Sequence, residues 1–256
     1  MTIDPSQGEE RAVLEELRRV YFSAAADEGE VLRALRPLLR KARFFVDVGA
    51  SLGQFTKYAS LAMPGGRVLS VEADPLRARE LMTDAAVWQG HSKARLEVIH
   101  GAATDHDGVA RLSVTDTTVS GGLFRHPLDH VSSNAAAAVR WREVDVPARR
   151  LDTLCGAETP DLVKVDVEGA ELRVLRGADG LLRRGVTLFL VEIHPWHDPG
   201  GQSAPADVLA FMASYGYHGL PFAGKTLFVG RVGGARFAML LGRSLATRIR
   251  ARLRRR

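Results

Sequence analysis

The sequence holds one cysteine, Cys155. A single thiol forms no internal disulfide and excludes metal centres built on clustered cysteines. Long apolar runs are missing too: no stretch reaches the roughly 18 residues that a transmembrane helix needs. No Asp/Asn-Pro-Pro-aromatic motif of amino-methylating nucleic-acid enzymes occurs, nor His-Glu-x-x-His, a Walker loop or Gly-x-Ser-x-Gly. Those absences argue against a zinc protease, a P-loop nucleotidase and a serine hydrolase. The first residues, MTIDPSQGEERAVLEEL, are acidic and lack the basic start and apolar run of a signal peptide. A cytoplasmic protein is expected.

What is present is ordinary for a globular chain. Of 256 residues, 46% are hydrophobic and 25% charged, which excludes a disordered or collagen-like polymer. The length suits one large domain or two small ones. Lysine is rare, 5 residues against 30 arginines. The net charge of +5 has a local origin, because seven arginines and no acid lie in residues 242–256. Without that tail the body is close to neutral, so no nucleic-acid-binding face is expected.

Periodicity organises the chain. Val13, Leu14, Leu17, Val20 and Tyr21 recur at helical spacing, as do Val31, Leu32, Leu35, Leu38 and Leu39. Ser23-Ala-Ala-Ala-Asp-Glu-Gly29 reads as the connection between these helices. From Phe44 short apolar runs alternate with helical segments: strands at 44–48, 68–71 and 95–100, helices at 54–63 and 75–89. Residues 109–114 and 144–148 read as further strands, separated by a polar, Gly- and Ala-rich insertion at 115–142. The alternation resumes with a strand at 161–166, a helix at 170–180, a strand at 186–193 and a helix at 204–215. Two last strands, 217–222 and 226–231, flank Ala223-Gly-Lys225 as a hairpin. The expected fold is α/β: a doubly wound, Rossmann-like, mostly parallel sheet with a C-terminal antiparallel strand and N-terminal helices. Its expected parts are helices over 1–42, the main domain over 43–234 and a basic tail over 235–256.

The strongest local signal is Val46-Asp-Val-Gly-Ala-Ser-Leu-Gly53, at the first strand-to-helix junction. Gly49 permits a sharp turn, and Gly53 lets the helix start close to the sheet with its N–H groups facing the crevice. Glu72, ending the second strand, suits the two hydroxyls of a ribose. A dinucleotide fingerprint wants glycine where Ser51 stands. Asp47 would repel a pyrophosphate and suits a cationic ligand, so the charge pattern favours S-adenosylmethionine over NAD.

With these residues in view, the sequence resembles the FkbM-type family of S-adenosylmethionine-dependent methyltransferases, of class I fold. The matching segments are Phe45-Val-Asp-Val-Gly-Ala-Ser-Leu-Gly53, Val71-Glu-Ala-Asp-Pro75, Ala102-Ala-Thr-Asp-His-Asp-Gly108 and Leu151-Asp-Thr-Leu154. The most specific is Asp161-Leu-Val-Lys-Val-Asp-Val-Glu-Gly-Ala-Glu-Leu-Arg-Val-Leu-Arg-Gly177, followed by Leu190-Val-Glu-Ile-His194. The resemblance implies cofactor contacts from Asp47, Gly49, Ser51, Gly53 and Glu72, with His100 and the backbone of Ala102 near the adenine. The family often has asparagine at the positions of Ser51 and His100.

Alternation puts Lys164, Asp166 and Glu168 on one side where their strand leaves the sheet, and Glu192 and His194 likewise on the next. Asp166, Glu192 and His194 are therefore the candidate catalytic groups, set to orient or deprotonate an acceptor hydroxyl. The bland alternatives are a buried ion pair supporting the next helix and a hydrogen-bonded structural histidine. The same three could ligate a hard divalent cation, an option the spacing does not favour. Glu171 and Arg173 read as helix-surface charges, and His197 and Asp198 as residues of a solvated loop, with approach to the substrate as the alternative. The expected activity is methyl transfer from S-adenosylmethionine to a hydroxyl oxygen of a small molecule, natural product or saccharide. The rivals are a nicotinamide-dependent oxidoreductase and a non-catalytic nucleoside-binding protein. Phe237, Met239, Leu240, Leu241, Leu245, Ile249 and Leu253 interleave with the tail arginines as a basic amphipathic helix, able to dock on the body or touch an anionic membrane.

Overall fold

The computed structural model describes residues 25–115, 141–194, 204–222 and 224–230. The expected N-terminal helix around 13–21, the insertion at 116–140, His197, Asp198 and the basic tail lie outside the described residues. The elements in chain order are α1 (Ala25–Leu39), β1 (Phe44–Val48), α2 (Gln54–Ala62), β2 (Arg67–Glu72), α3 (Pro75–Gln89), β3 (Arg95–His100) and β4 (Ala102–Ala103). They continue with β5 (Gly108–Thr115), β6 (Trp141–Arg149), α4 (Leu151–Cys155), β7 (Leu162–Val165), α5 (Glu171–Arg176) and α6 (Asp179–Arg184). The last are β8 (Leu188–Val191), α7 (Pro205–Ser214), β9 (Tyr217–Phe222) and β10 (Lys225–Gly230).

Seven strands form the main sheet in the order β3-β2-β1-β7-β8-β10-β9. All neighbours from β3 to β8 pair parallel, whereas β10 runs antiparallel to both β8 and β9. The winding reverses between β1 and β7, and ligands of such sheets bind outside the carboxyl ends at that point.

Alternation along each strand builds two cores. Phe44, Val46, Val48, Val163, Val165, Phe189 and Val191 face α5, α6 and α7, with Leu175, Leu181 and Met212 against them. Phe45, Leu162, Leu188, Leu190 and Leu227 face α1 and α2, packing on Leu32, Leu35, Phe55 and Tyr58. Both faces of the parallel strands are thus buried, as a doubly wound sheet requires.

Local signals explain the element ends. Asp74 caps α3 by accepting from Leu76 N at 2.8 Å and Arg77 N at 3.1 Å, and Pro75 supplies the first helical position. Asp161 Oδ2 accepts from Arg43 N at 2.6 Å and Phe44 N at 3.0 Å, fixing the entry of β1.

Two expectations are corrected. The connection at 23–29 is helical from Ala25, because a run of alanines favours helix and one glycine costs only about 1 kcal/mol. The single helix at 170–180 is two, α5 and α6. The chain breaks at Gly177, which lies against the Thr104 carbonyl, and Asp152 then caps the second piece through Gly180 N at 2.8 Å. The strands expected at 109–114 and 144–148 form as β5 and β6: they pair antiparallel and, with β4, make a separate three-stranded sheet. Its own small core of Ala102, Leu112, Val114 and Val146 holds it together.

Candidate active site

On the α2 side of the sheet the rows of β1, β7, β8 and β10 carry charge at the same edge. Phe45 is followed by Asp47, Leu162 by Lys164 and Asp166, Leu190 by Glu192, and β10 enters on Lys225 before Leu227. The registers bring these rows together. Asp47 lies opposite Lys164, and Thr226 opposite Val191, which sets Lys225 against Glu192.

The nucleoside end is built by β1, β2 and β3. Gly49 has φ +71, and a Cβ there would stand 1.8 Å from the Asp166 carbonyl oxygen, so only glycine lets the turn lie on β7. Ser51 follows at φ +49. Its N–H donates to Glu72 Oε2 at 2.7 Å, and Asp74 N–H donates to Glu72 Oε1 at 2.8 Å. Burial pushes the Glu72 carboxyl above its ordinary range, against the pull of those two N–H groups. His100 lies opposite Glu72 in the register. Its Nε2 is buried with no hydrogen-bond partner among the described residues. Ala102 follows in β4, buried and paired with Ala148.

Two glycine-loop residues do different work from that expected. Gly53, at φ +80, faces α3: an added Cβ would meet Leu81 Cδ1 at 2.4 Å and the Trp88 ring at 3.0 Å. It lets two helices touch, not a helix and the sheet. Asp47 is wholly buried beneath the turn. Its Oδ2 accepts from Thr56 Oγ1 at 2.7 Å, and Oδ1 lies 3.4 Å from Lys164 Nζ. Its charge is spent inside the protein.

The other end gathers around His194. Glu171, read from sequence as a surface charge, is 0% exposed, and its Oε1 meets His194 Nδ1 at 2.9 Å. Gly169 N–H also donates to that oxygen at 3.0 Å. Since a carboxylate only accepts, Nδ1 carries the proton and Nε2 is left as the basic nitrogen. Around Nε2 stand Glu168 Oε2 at 3.5 Å, Glu192 Oε1 at 3.8 Å and Asp166 Oδ1 at 3.9 Å. Burial lowers the imidazole's pKa, but the Glu171 hydrogen bond and the charges of Glu168, Glu171 and Asp166 outweigh it and hold His194 above its ordinary value. Asp166 moves the opposite way. Burial raises it, yet Lys164, Lys225 and His194 together keep its carboxyl below the usual range.

Both lysines stand behind the acids. Lys164 Nζ donates to the Gly49 carbonyl at 2.8 Å and lies 3.5 Å from Asp166 Oδ2. Lys225 Nζ lies 3.4 Å from that same oxygen and bonds Glu192 Oε2. The lysine side chains are 4% and 6% exposed, whereas those of Asp166, Glu168 and Glu192 are 17%, 30% and 38% exposed. The crevice therefore presents carboxylate to solvent. Asp166, Glu192 and His194 offer atoms within 4.8 Å of one another, the spacing of a cation site, but Lys225 already compensates both acids.

The structure thus brings Asp166, Glu192 and His194 together and sets Glu72 beside His100. It keeps Glu168 beside them as alternation expects, turns Glu171 inward where a surface charge was expected, and adds Lys225, which no sequence pattern marked. Cys155 is buried away from this edge, and burial pushes its thiol up to about 12, removing it as a nucleophile.

The FkbM methyltransferase domain matches residues 47–218. Over 193 residues the chain is 28% identical to the AMB antimetabolite synthetase AmbE of Pseudomonas aeruginosa, covering 64% of this chain and 9% of that protein. It is 32% identical over 152 residues to Methyltransferase 1 of Beauveria bassiana, covering 53% of this chain and 58% of that one. The chain therefore spans less than two thirds of the length of either relative. A crystal structure of the FkbM methyltransferase of Methylobacillus flagellatus aligns with a TM-score of 0.48 at 16% identity, covering 73% of this chain and 43% of that one. With the matched domain spanning the glycine turn, both clusters of the crevice and the start of β9, the chain belongs to the FkbM methyltransferase domain family.

Proposed function

We propose that the chain transfers a methyl group from S-adenosylmethionine to a hydroxyl oxygen of a small molecule, natural product or saccharide. The observation that carries this reading is the exposed carboxylate face at the switch point. Asp166, Glu168 and Glu192 face the crevice while Lys164 and Lys225 lie behind them. Such a face suits a cofactor with a positive sulfur and opposes a pyrophosphate, which favours S-adenosylmethionine over a nicotinamide dinucleotide. Asp47, buried against Thr56 and Lys164, adds nothing to this face.

The residues present fit the cofactor. Each Glu72 oxygen accepts one backbone N–H and keeps a lone pair for a ribose hydroxyl. The orphaned His100 Nε2 lies beside it, ready for a polar group of the base. Gly49, Ser51 and Ala102 would line the same cradle, with Asp47 and Gly53 supporting it from below. When bound, S-adenosylmethionine supplies a methyl group on a sulfonium, an activated donor that needs no covalent enzyme intermediate.

At the other end His194 Nε2 takes the proton of the acceptor hydroxyl as that oxygen attacks, and Glu171 steadies the resulting imidazolium. Asp166 and Glu192 orient the hydroxyl. Positioning of the oxygen in line with the sulfur carries much of the rate.

Calorimetry with S-adenosylhomocysteine and with NAD tests the cofactor. The chain should bind the first and not the second, and Glu72→Ala should weaken binding by about 1.5–3 kcal/mol, the worth of hydrogen bonds to a charged group. Because Glu72 also anchors Ser51 and Asp74, a circular-dichroism melt of the variant accompanies the titration. Unchanged affinity in a folded variant would place the nucleoside elsewhere.

A further inference from the structure

Lys225 stands out because nothing in its local sequence marks it. It follows Gly224 in a hairpin, where a lysine is ordinarily solvated. Instead it opens β10, the antiparallel strand of the sheet, and its side chain is 6% exposed. Its Nζ lies 3.4 Å from Asp166 Oδ2 and bonds Glu192 Oε2, so one ammonium bridges acids from two neighbouring parallel strands. The stem passes the Phe55 ring, with Nζ 5.8 Å from its centroid. Lys164 reaches the same Asp166 oxygen from the other side at 3.5 Å.

The opposite oxygens of the two acids are those facing the base. Asp166 Oδ1 and Glu192 Oε1 stand 3.9 Å and 3.8 Å from His194 Nε2. An ammonium holding the inner oxygens therefore decides where the outer ones point. It also allows two carboxylates on adjacent strands to remain close while both are ionised, which like charges otherwise resist.

We infer that Lys225 is a positioning residue of the site: the β10 ammonium clamps Asp166 and Glu192 so that their outer oxygens flank His194. It touches neither donor nor acceptor and acts through the two acids. On this view the antiparallel hairpin closes the sheet edge and also supplies the counter-ion that makes the acid pair usable. The inference rests on the proposed methyl transfer for its purpose, but the clamp itself is tested without turnover.

The test compares the full chain with Lys225→Met and Lys225→Arg. Methionine keeps most of the apolar stem beside Phe55 and removes the charge. With the ammonium gone, Glu192 loses its counter-ion and Asp166 keeps only Lys164 at 3.5 Å, so the pair attracts another cation and Mn²⁺ followed by electron paramagnetic resonance should bind Lys225→Met on the order of tenfold more tightly than the parent. A second change, Glu192→Gln in the methionine background, should return the affinity to the parental level, and Lys225→Arg should never gain it. A lysine that merely filled space would lower the melting temperature and leave Mn²⁺ affinity alone. Equal affinity in the parent and in Lys225→Met would overturn the clamp, as would a gain that survives Glu192→Gln. If Lys225→Met does not fold, Lys225→Gln takes its place with the same expected gain and the same overturning result. S-adenosylhomocysteine titrated in parallel separates the two readings: loss of nucleoside binding in the parent would sink the proposed function and leave the clamp standing.

Discussion

Glu171 has a side chain with no solvent exposure, in contact with an imidazole and carrying a second oxygen, Oε2, that is buried without a partner among the described residues. An acid in that state is costly unless its hydrogen bond does something. Here it fixes the tautomer of His194. Glu171→Gln would keep the shape and lose the charge, and the amide can donate to Nδ1, moving the ring proton to Nε2. The expected result is a fall in methyl transfer of about 10²–10⁴-fold with cofactor affinity unchanged, the usual cost of losing a general base. The imidazole itself reports the same event by NMR titration. In the parent, His194 should titrate above the ordinary value near 6.5, since Glu171, Glu168 and Asp166 stabilise its charged form. In Glu171→Gln it should titrate lower. The sign for stability follows: the raised value contributes stability below the unfolded pKa and loses it as pH rises through the folded one. The rate has the opposite dependence, because only the neutral ring accepts a proton, so activity should rise with pH through the His194 titration. A titration unmoved by the substitution would make this pair structural.

At the scale of elements, the sequence was legible where periodicity and end signals agreed. Strands β1, β2, β3, β7 and β8 and helix α3 lie where short apolar runs and a proline in the first helical turn predict them, and the structure adds the Asp74 cap. Their charged ends followed from strand parity, which is why Asp166, Glu192 and His194 could be grouped. Glu171 could not be read that way. It opens a helix of 6 residues entered through Glu168 at φ +54 and Gly169 at φ +101, and helical spacing does not reveal which way so short an element faces. Lys225 was hidden by its hairpin context, since antiparallel register against β8 is a property of pairing and not of local pattern. Gly53 was recognised as necessary but for a different contact. Its packing makes a direct prediction: Gly53→Ala forces a left-handed residue at φ +80 and a Cβ 2.4 Å from Leu81. Urea unfolding should show a loss of about 1–3 kcal/mol, the cost of a strained backbone plus displaced side chains. A variant as stable as the parent would mean that α2 and α3 do not meet there.

Across the whole molecule charge is divided unevenly, and this sets the last expectation. The body carries nearly equal numbers of acids and bases, while residues 242–256 hold seven arginines and no acid. These residues lie outside the described part of the structure, and their composition and spacing set what they can bind. The crevice needs its acids for the proposed chemistry, and its lysines are already engaged with them, so the tail's charge has no counterpart in the site. An anionic bilayer attracts each surface arginine by about 1 kcal/mol, and the apolar residues Leu245, Ile249 and Leu253 repeat every fourth position alongside them. Deleting residues 250–256 removes five of those arginines. Cosedimentation with vesicles rich in phosphatidylserine should then fall sharply at ~0.01 M salt, where screening extends to roughly 30 Å, and differ little at ~0.15 M. Cofactor affinity should stay the same, because none of the cradle residues is altered. Vesicle binding that persists undiminished after the deletion would remove the membrane role of this terminal run and leave docking on a protein surface as its explanation.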